Sequence, residues 1–92
     1  MAIHTSEQFR EEAKLFFFMS RQFLKGSTKK QTEAYALEYV KARPDTFKYR
    51  DDVEAGVLVD WLVNLGYIEF VISDEKSSSL RITKEGQDFI DR

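Results

Sequence analysis

The apolar positions of this 92-residue chain keep a helical rhythm through most of its length and a strand rhythm near its end. Phe9, Ala13, Phe16, Ser20 and Phe23 fall on one side of a helix, with Glu12, Met19 and Leu24 at its borders. Ser6 reads as the N-cap, and Lys25 with Gly26 as a basic last turn and left-handed stop, so a first helix is predicted over residues 6–25. Thr28-Lys29-Lys30-Gln31 is a capping-box pattern that opens a second helix over residues 29–42. Its inward set is Ala36, Leu37 and Val40, flanked by Tyr35 and Tyr39. Pro44 closes it, because the residue before a proline is pushed out of the helical region.

Asp45 or Thr46 is the expected cap of a third helix that runs through Asn64. Ala55, Leu58, Val59, Leu62 and Leu65 face inward, Trp61 lies alongside, and Gly66 supplies the left-handed stop. Gly56 inside this helix costs about 1 kcal/mol relative to alanine, and is therefore expected to admit a neighbouring backbone. The rhythm then changes. Residues 67–72 are aromatic and β-branched, with Ile68, Phe70 and Ile72 on one face. A polar connection over residues 73–79 leads to a second strand over 80–83, with Leu80 and Ile82 inward, and the two make a hairpin. Thr83 caps a last short helix over residues 84–91 that tucks in Phe89 and Ile90. Residues 1–5 have no period and read as a flexible end.

The last third also carries a recognisable pattern: Leu62, then Leu65-Gly66-Tyr67-Ile68, then Leu80-Arg81-Ile82-Thr83-Lys84-Glu85-Gly86, then Phe89-Ile90. This resembles the ending of winged helix-turn-helix regulators from bacteria, archaea and their viruses. The resemblance covers residues 45–92, and the first two helices by arrangement only. It implies a single α+β, mainly α domain over residues 1–92: three helices, a two-stranded hairpin wing and a short C-terminal helix. It further implies that the third helix enters the DNA major groove while the wing touches the backbone.

Composition narrows the field. Ninety-two residues suit one domain, and the absence of cysteine excludes disulfides and thiolate metal sites. Eight Phe, four Tyr and one Trp supply large buried area per residue. No apolar run reaches the roughly 18 residues that cross a bilayer, and no leader pattern opens the chain, so a cytoplasmic location without membrane contact is expected. The net charge of −2 conceals two opposed halves: residues 1–50 hold ten Lys/Arg against six Asp/Glu, and residues 51–92 hold four against ten. His4 stands alone, the adjacent pairs Glu11/Glu12 and Asp51/Asp52 diverge on their helices, and the glycines are isolated. No enzyme, metal or cofactor is expected.

Two functions from different classes lead, with a third behind them: a small nucleic-acid mimic that blocks a DNA-binding protein with its acidic side. In a dimeric DNA-binding regulator, Lys48, Tyr49 and Arg50 reach bases, while Lys29, Lys30, Lys41, Arg43, Lys76 and Arg81 hold phosphates. Against that stand the acids of the same helix start, Asp51, Asp52 and Glu54, with Asp60 further along; they either oppose the phosphates or simply favour the helix dipole. In a protein-interaction adaptor, the acidic residues 51–75, with Asp51 and Asp52 foremost, meet a basic partner. Leu15, Phe17 and Phe18 of the over-apolar first helix then form a partner or dimer contact, unless the chain's own end or last helix covers them.

Overall fold

The computed structural model describes residues 5–72 and 78–92. It is mainly helical, in the order α1 (Ser6–Leu24), α2 (Lys29–Lys41), α3 (Asp52–Asn64), β1 (Ile68–Ile72), β2 (Ser78–Ile82) and α4 (Lys84–Ile90). His4, Lys76 and most of the expected flexible end and polar connection lie outside the described residues.

Each helix start is chosen by local hydrogen bonding. α1 begins one residue before the expected cap: Thr5 Oγ1 accepts from the Gln8 amide at 3.2 Å, and Gln8 Oε1 accepts from the Thr5 amide at 3.2 Å. Ser6 has Phe9 three residues on and cannot close that reciprocal pair, so Thr5 wins. α2 starts at Thr28 as expected, with Thr28 and Gln31 exchanging bonds of 3.0 and 2.9 Å. α3 does not start near Thr46. Its cap is Asp51, whose carboxylate accepts from the Glu54 amide at 3.1 Å. Residues 43–47 instead form a turn that drives Phe47 fully into the core, against Phe9 and Tyr39 at 6.0 Å each, and Arg50 at φ 54° breaks any earlier helix.

β1 and β2 pair antiparallel, Phe70 opposite Leu80, and β2 opens at Ser78, two residues before the expected start. The other edge of β2 is not left bare. The Gly26 amide donates to Leu80 O at 2.9 Å, and the Leu80 amide donates to Ser27 O at 2.7 Å, so the α1–α2 loop adds a short third rung to the ribbon. Gly26 takes φ 83° to reach it. α4 is tied directly to the ribbon. Thr83 Oγ1 donates to Gly66 O and accepts from the Gly86 amide at 3.1 Å, and a Cβ on Gly86 would overlap the Tyr67 carbonyl.

The core gathers Ala13, Phe16, Phe17 and Leu24 of α1, Ala36, Tyr39 and Val40 of α2, Ala55, Leu58, Val59 and Leu62 of α3, and Ile68 and Leu80 of the ribbon. Three expectations are corrected here. Phe17 is wholly buried, with its ring 5.5 Å from Tyr67 and 6.1 Å from Phe89, so it belongs to the core and cannot meet a partner. Phe23, expected inward, faces out because the inward stripe drifts from Phe16 and Phe17 to Leu24. Gly56 admits no neighbour: a Cβ there would meet nothing within 4 Å. Among the described residues, no helix is long and apolar enough to cross a membrane.

Candidate partner-binding surface

α3 lies against α1 and α2 through Ala55, Leu58, Val59 and Leu62, which leaves its other side open. That open side carries Val53, Gly56, Val57, Asp60 and Asn64 in one helical row, with Asp52 and Val63 beside it. Val53 is 72% exposed. No Lys or Arg occurs between Asp52 and Asn64. A shallow groove lined by Lys29, Val59, Asp60, Val63, Asn64 and Phe70 joins this face to the ribbon. Ile72, on the same strand face as Phe70 and exposed, extends the same apolar character. The surface is apolar with two carboxylates on α3 and with Lys29 at its border.

The approach to α3 is rigidly built. Glu54 Oε1 accepts from the Tyr49 amide at 2.9 Å and from the Arg50 amide, while the Glu54 amide donates to Asp51. Glu54 is therefore buried and engaged by the backbone, not displayed, which corrects the expectation that three carboxylates are exposed at this helix start. Asp51 serves as the cap and Asp52 sits in the first turn, where a negative charge favours the helix dipole. Both remain open to solvent.

The cations proposed for phosphate contact are dispersed, and two are engaged inside the fold. Arg43 Nε lies 3.0 Å from Glu12 Oε1, the same oxygen that accepts from the Tyr39 hydroxyl at 2.8 Å. Burial, reinforced by the neighbouring Glu12 carboxylate, raises the Tyr39 hydroxyl well above its ordinary pKa of 10.0, against the opposing pull of Arg43. Arg43 thus joins α1 to the exit of α2. Arg81 pairs with Glu69 directly across the hairpin. Lys29 and Lys30 are exposed at the start of α2, Lys41 at its end, and Lys48, Tyr49 and Arg50 in the loop before α3, with Lys48 Nζ 5.2 Å from the Tyr49 ring. On α1, Leu15 and Phe18 are exposed as expected.

Reasoning from sequence gave no role to the outward valines of α3. Their signal was present: once Ala55, Leu58, Val59 and Leu62 are assigned inward, Val53 and Val57, four residues apart, fall on the opposite side. Among the described residues no group of three His, Cys, Asp or Glu side chains is placed to hold a metal ion. Comparison with known protein families, curated proteins and solved structures finds no match to this chain.

Proposed function

We propose that this chain is a winged-helix domain that binds another protein through the outward face of α3 and the adjoining ribbon. The winged-helix reading is supported by the element order and by the rung that Gly26 and Ser27 add to β2, which gives the ribbon a helix-linked third edge. The observation that carries the binding reading is the character of α3: a helix without a single cation, presenting Val53 and Val57 between Asp52 and Asp60, and Val63 beyond them. Base readout calls for Arg, Lys, Asn or Gln, and a duplex carries a phosphate charge about every 1.7 Å, so this face suits a basic, partly apolar protein surface better than a major groove. Such a contact buries valine side chains and neutralises Asp52 and Asp60 in one step.

A second reading, duplex DNA, is favoured by one observation: Lys29, Lys30, Lys48 and Arg50 are exposed on the α2 start and the loop preceding α3. An amide-resolved NMR titration separates the two. One sample receives a basic amphipathic peptide of lysine and leucine, another a mixed-sequence duplex, both at low salt. The proposal expects peptide-induced shifts at Val53, Val57 and Asp60 that vanish in Asp52→Lys/Asp60→Lys. Duplex binding that weakens steeply with salt and is lost in Lys29→Glu/Lys30→Glu would overturn it in favour of DNA.

A further inference from the structure

The side of α1 turned away from the core is unlike an ordinary solvated helix face. Leu15, Phe18, Met19 and Phe23 are 39, 41, 58 and 63% exposed, and Tyr35 of α2 extends the patch with its ring 6.1 Å from Phe23. Large side chains of this kind present about 150–250 Å² each, so the five leave on the order of 400–500 Å² of contiguous apolar surface. That is near the upper range for the largest patch on a monomer, where such surface marks an interface.

The charges at the two ends of the patch indicate what covers it. Glu11, Phe18 and Lys25 are spaced by seven residues, two helical turns, and so lie in one row. All three are exposed. Ahead of the patch Glu7, Glu11 and Glu12 outnumber Arg10 and Lys14, and behind it Arg21 and Lys25 stand without an acid. Lys14, 3.1 Å from Glu11, and nearby Arg10 hold the Glu11 carboxyl below its ordinary pKa, keeping it charged. A second copy laid parallel would set acid against acid and base against base. Laid antiparallel, it sets apolar patch on apolar patch and each acidic end on a basic one.

We propose that α1 joins two copies of this chain in an antiparallel, two-fold symmetric pair, with the axis at Phe18 and Glu11 of each copy facing Lys25 of the other. A contact of this kind is isologous, because Glu11 and Lys25 stand at equal distances on either side of Phe18. Arg21, whose guanidinium lies 4.4 Å from the centre of the Phe18 ring and bonds Phe18 O at 2.6 Å, frames the aromatic contact at the axis. With its polar rim, the paired surface reaches roughly 1,200–1,600 Å² in total, the lower range of specific interfaces, so the pair is reversible. This face is separate from that of α3, and the pairing holds whichever partner α3 takes.

Sedimentation equilibrium of the full chain between about 10 and 500 µM tests it, with a dissociation constant expected in the tens of micromolar. Phe18→Asp and Met19→Lys each weaken the pair at least tenfold; on dilute protein the unfolding midpoint moves little for Met19→Lys, since Met19 is 58% exposed, and falls modestly for Phe18→Asp, since the Phe18 ring is 41% exposed and packs under Arg21. Glu11→Lys and Lys25→Glu each weaken it about three- to tenfold, and the double swap restores it to within about twofold. A chain that stays monomeric across the range overturns the proposal. So does a dimer indifferent to Phe18→Asp and Met19→Lys, or a double swap that fails to rescue.

Discussion

Replacing Glu54 by alanine tests whether one buried carboxylate decides where α3 begins. Its Oε1 accepts from the Tyr49 amide at 2.9 Å and from the Arg50 amide, and these bonds hold the loop that carries Arg50 at φ 54°. A hydrogen bond to a charged acceptor contributes about 1.5–3 kcal/mol net when its donor would otherwise stay buried. Tyr49 and Arg50 are exposed, so their freed amides regain water and the lower values apply. The expected loss is about 2–3 kcal/mol for the pair of bonds. In a domain of this size that lowers the melting midpoint by roughly 8–15 °C. Circular dichroism melts and urea titrations measure it, and an unchanged urea slope shows that the two end states are the same. Glu54→Gln keeps an oxygen acceptor without the charge and is expected to cost about 1 kcal/mol. A Glu54→Ala loss below about 0.5 kcal/mol, or equal losses in the two variants, would refute the claim that these bonds fix the helix start.

Four other outcomes follow from the same contacts. Gly86→Ala is expected to cost about 1–3 kcal/mol in urea unfolding, since its Cβ would overlap the Tyr67 carbonyl and approach Ile82 Cγ2 at 3.1 Å. Arg50→Gly is expected to stabilise by up to about 1 kcal/mol, because glycine adopts φ 54° without the side-chain penalty. Tyr39→Phe loses the Glu12 bond, about 1 kcal/mol at pH 7. The raised Tyr39 pKa means that the unfolded chain ionises first above pH 10.0, so wild-type stability falls there, and urea midpoints of Tyr39→Phe should fall less steeply over that range. Asp52→Lys/Asp60→Lys, which gives α3 two cations on its open side, should acquire salt-sensitive duplex binding in a gel-shift series; if wild type binds equally well, the acids do not oppose DNA.

The elements were legible wherever apolar period and capping chemistry agreed. Thr28 and Gln31 announce α2, Gly66 and Thr83 announce the two ends of the hairpin, and both ends stand where their residues place them. Legibility failed where tertiary contacts override local pattern. Asp45 and Thr46 are sound caps in isolation, but burying Phe47 against Phe9 and Tyr39 outweighs an extra turn of helix, and Glu54 then fixes the later start. Phe16, Phe17 and Phe18 are adjacent and chemically identical, so only the position of Tyr67 and Phe89 decides that Phe17 goes in and Phe18 stays out. For the surface, charge segregation was plain, but ion pairing was not: Glu12 with Arg43 spans 31 positions of chain and Glu69 with Arg81 spans 12.

Those two pairs differ in what they permit. Arg81 is well exposed and Glu69 partly so, and a pair at the surface contributes only about 0–1 kcal/mol, so a phosphate or a partner's carboxylate can draw Arg81 away at small cost. Arg43 is held more firmly. Its partner Glu12 is largely buried and also accepts from Tyr39, so removing the guanidinium would leave a desolvated carboxylate facing a half-apolar helix junction. Arg43 therefore acts as a clamp between α1 and α2, and the ribbon can lend Arg81 more readily than the end of α2 can lend Arg43. Asp52 and Asp60, about 12 Å apart along the helix axis, each sit roughly one screening length from the other, so neither relieves the other's field at a contact. Lys30 and Lys29, at the start of α2, line grooves shared with Asp52 and Asp60, so a partner that docks on α3 meets both signs of charge beside the valines, and that pattern bears on partner choice more than the fold does.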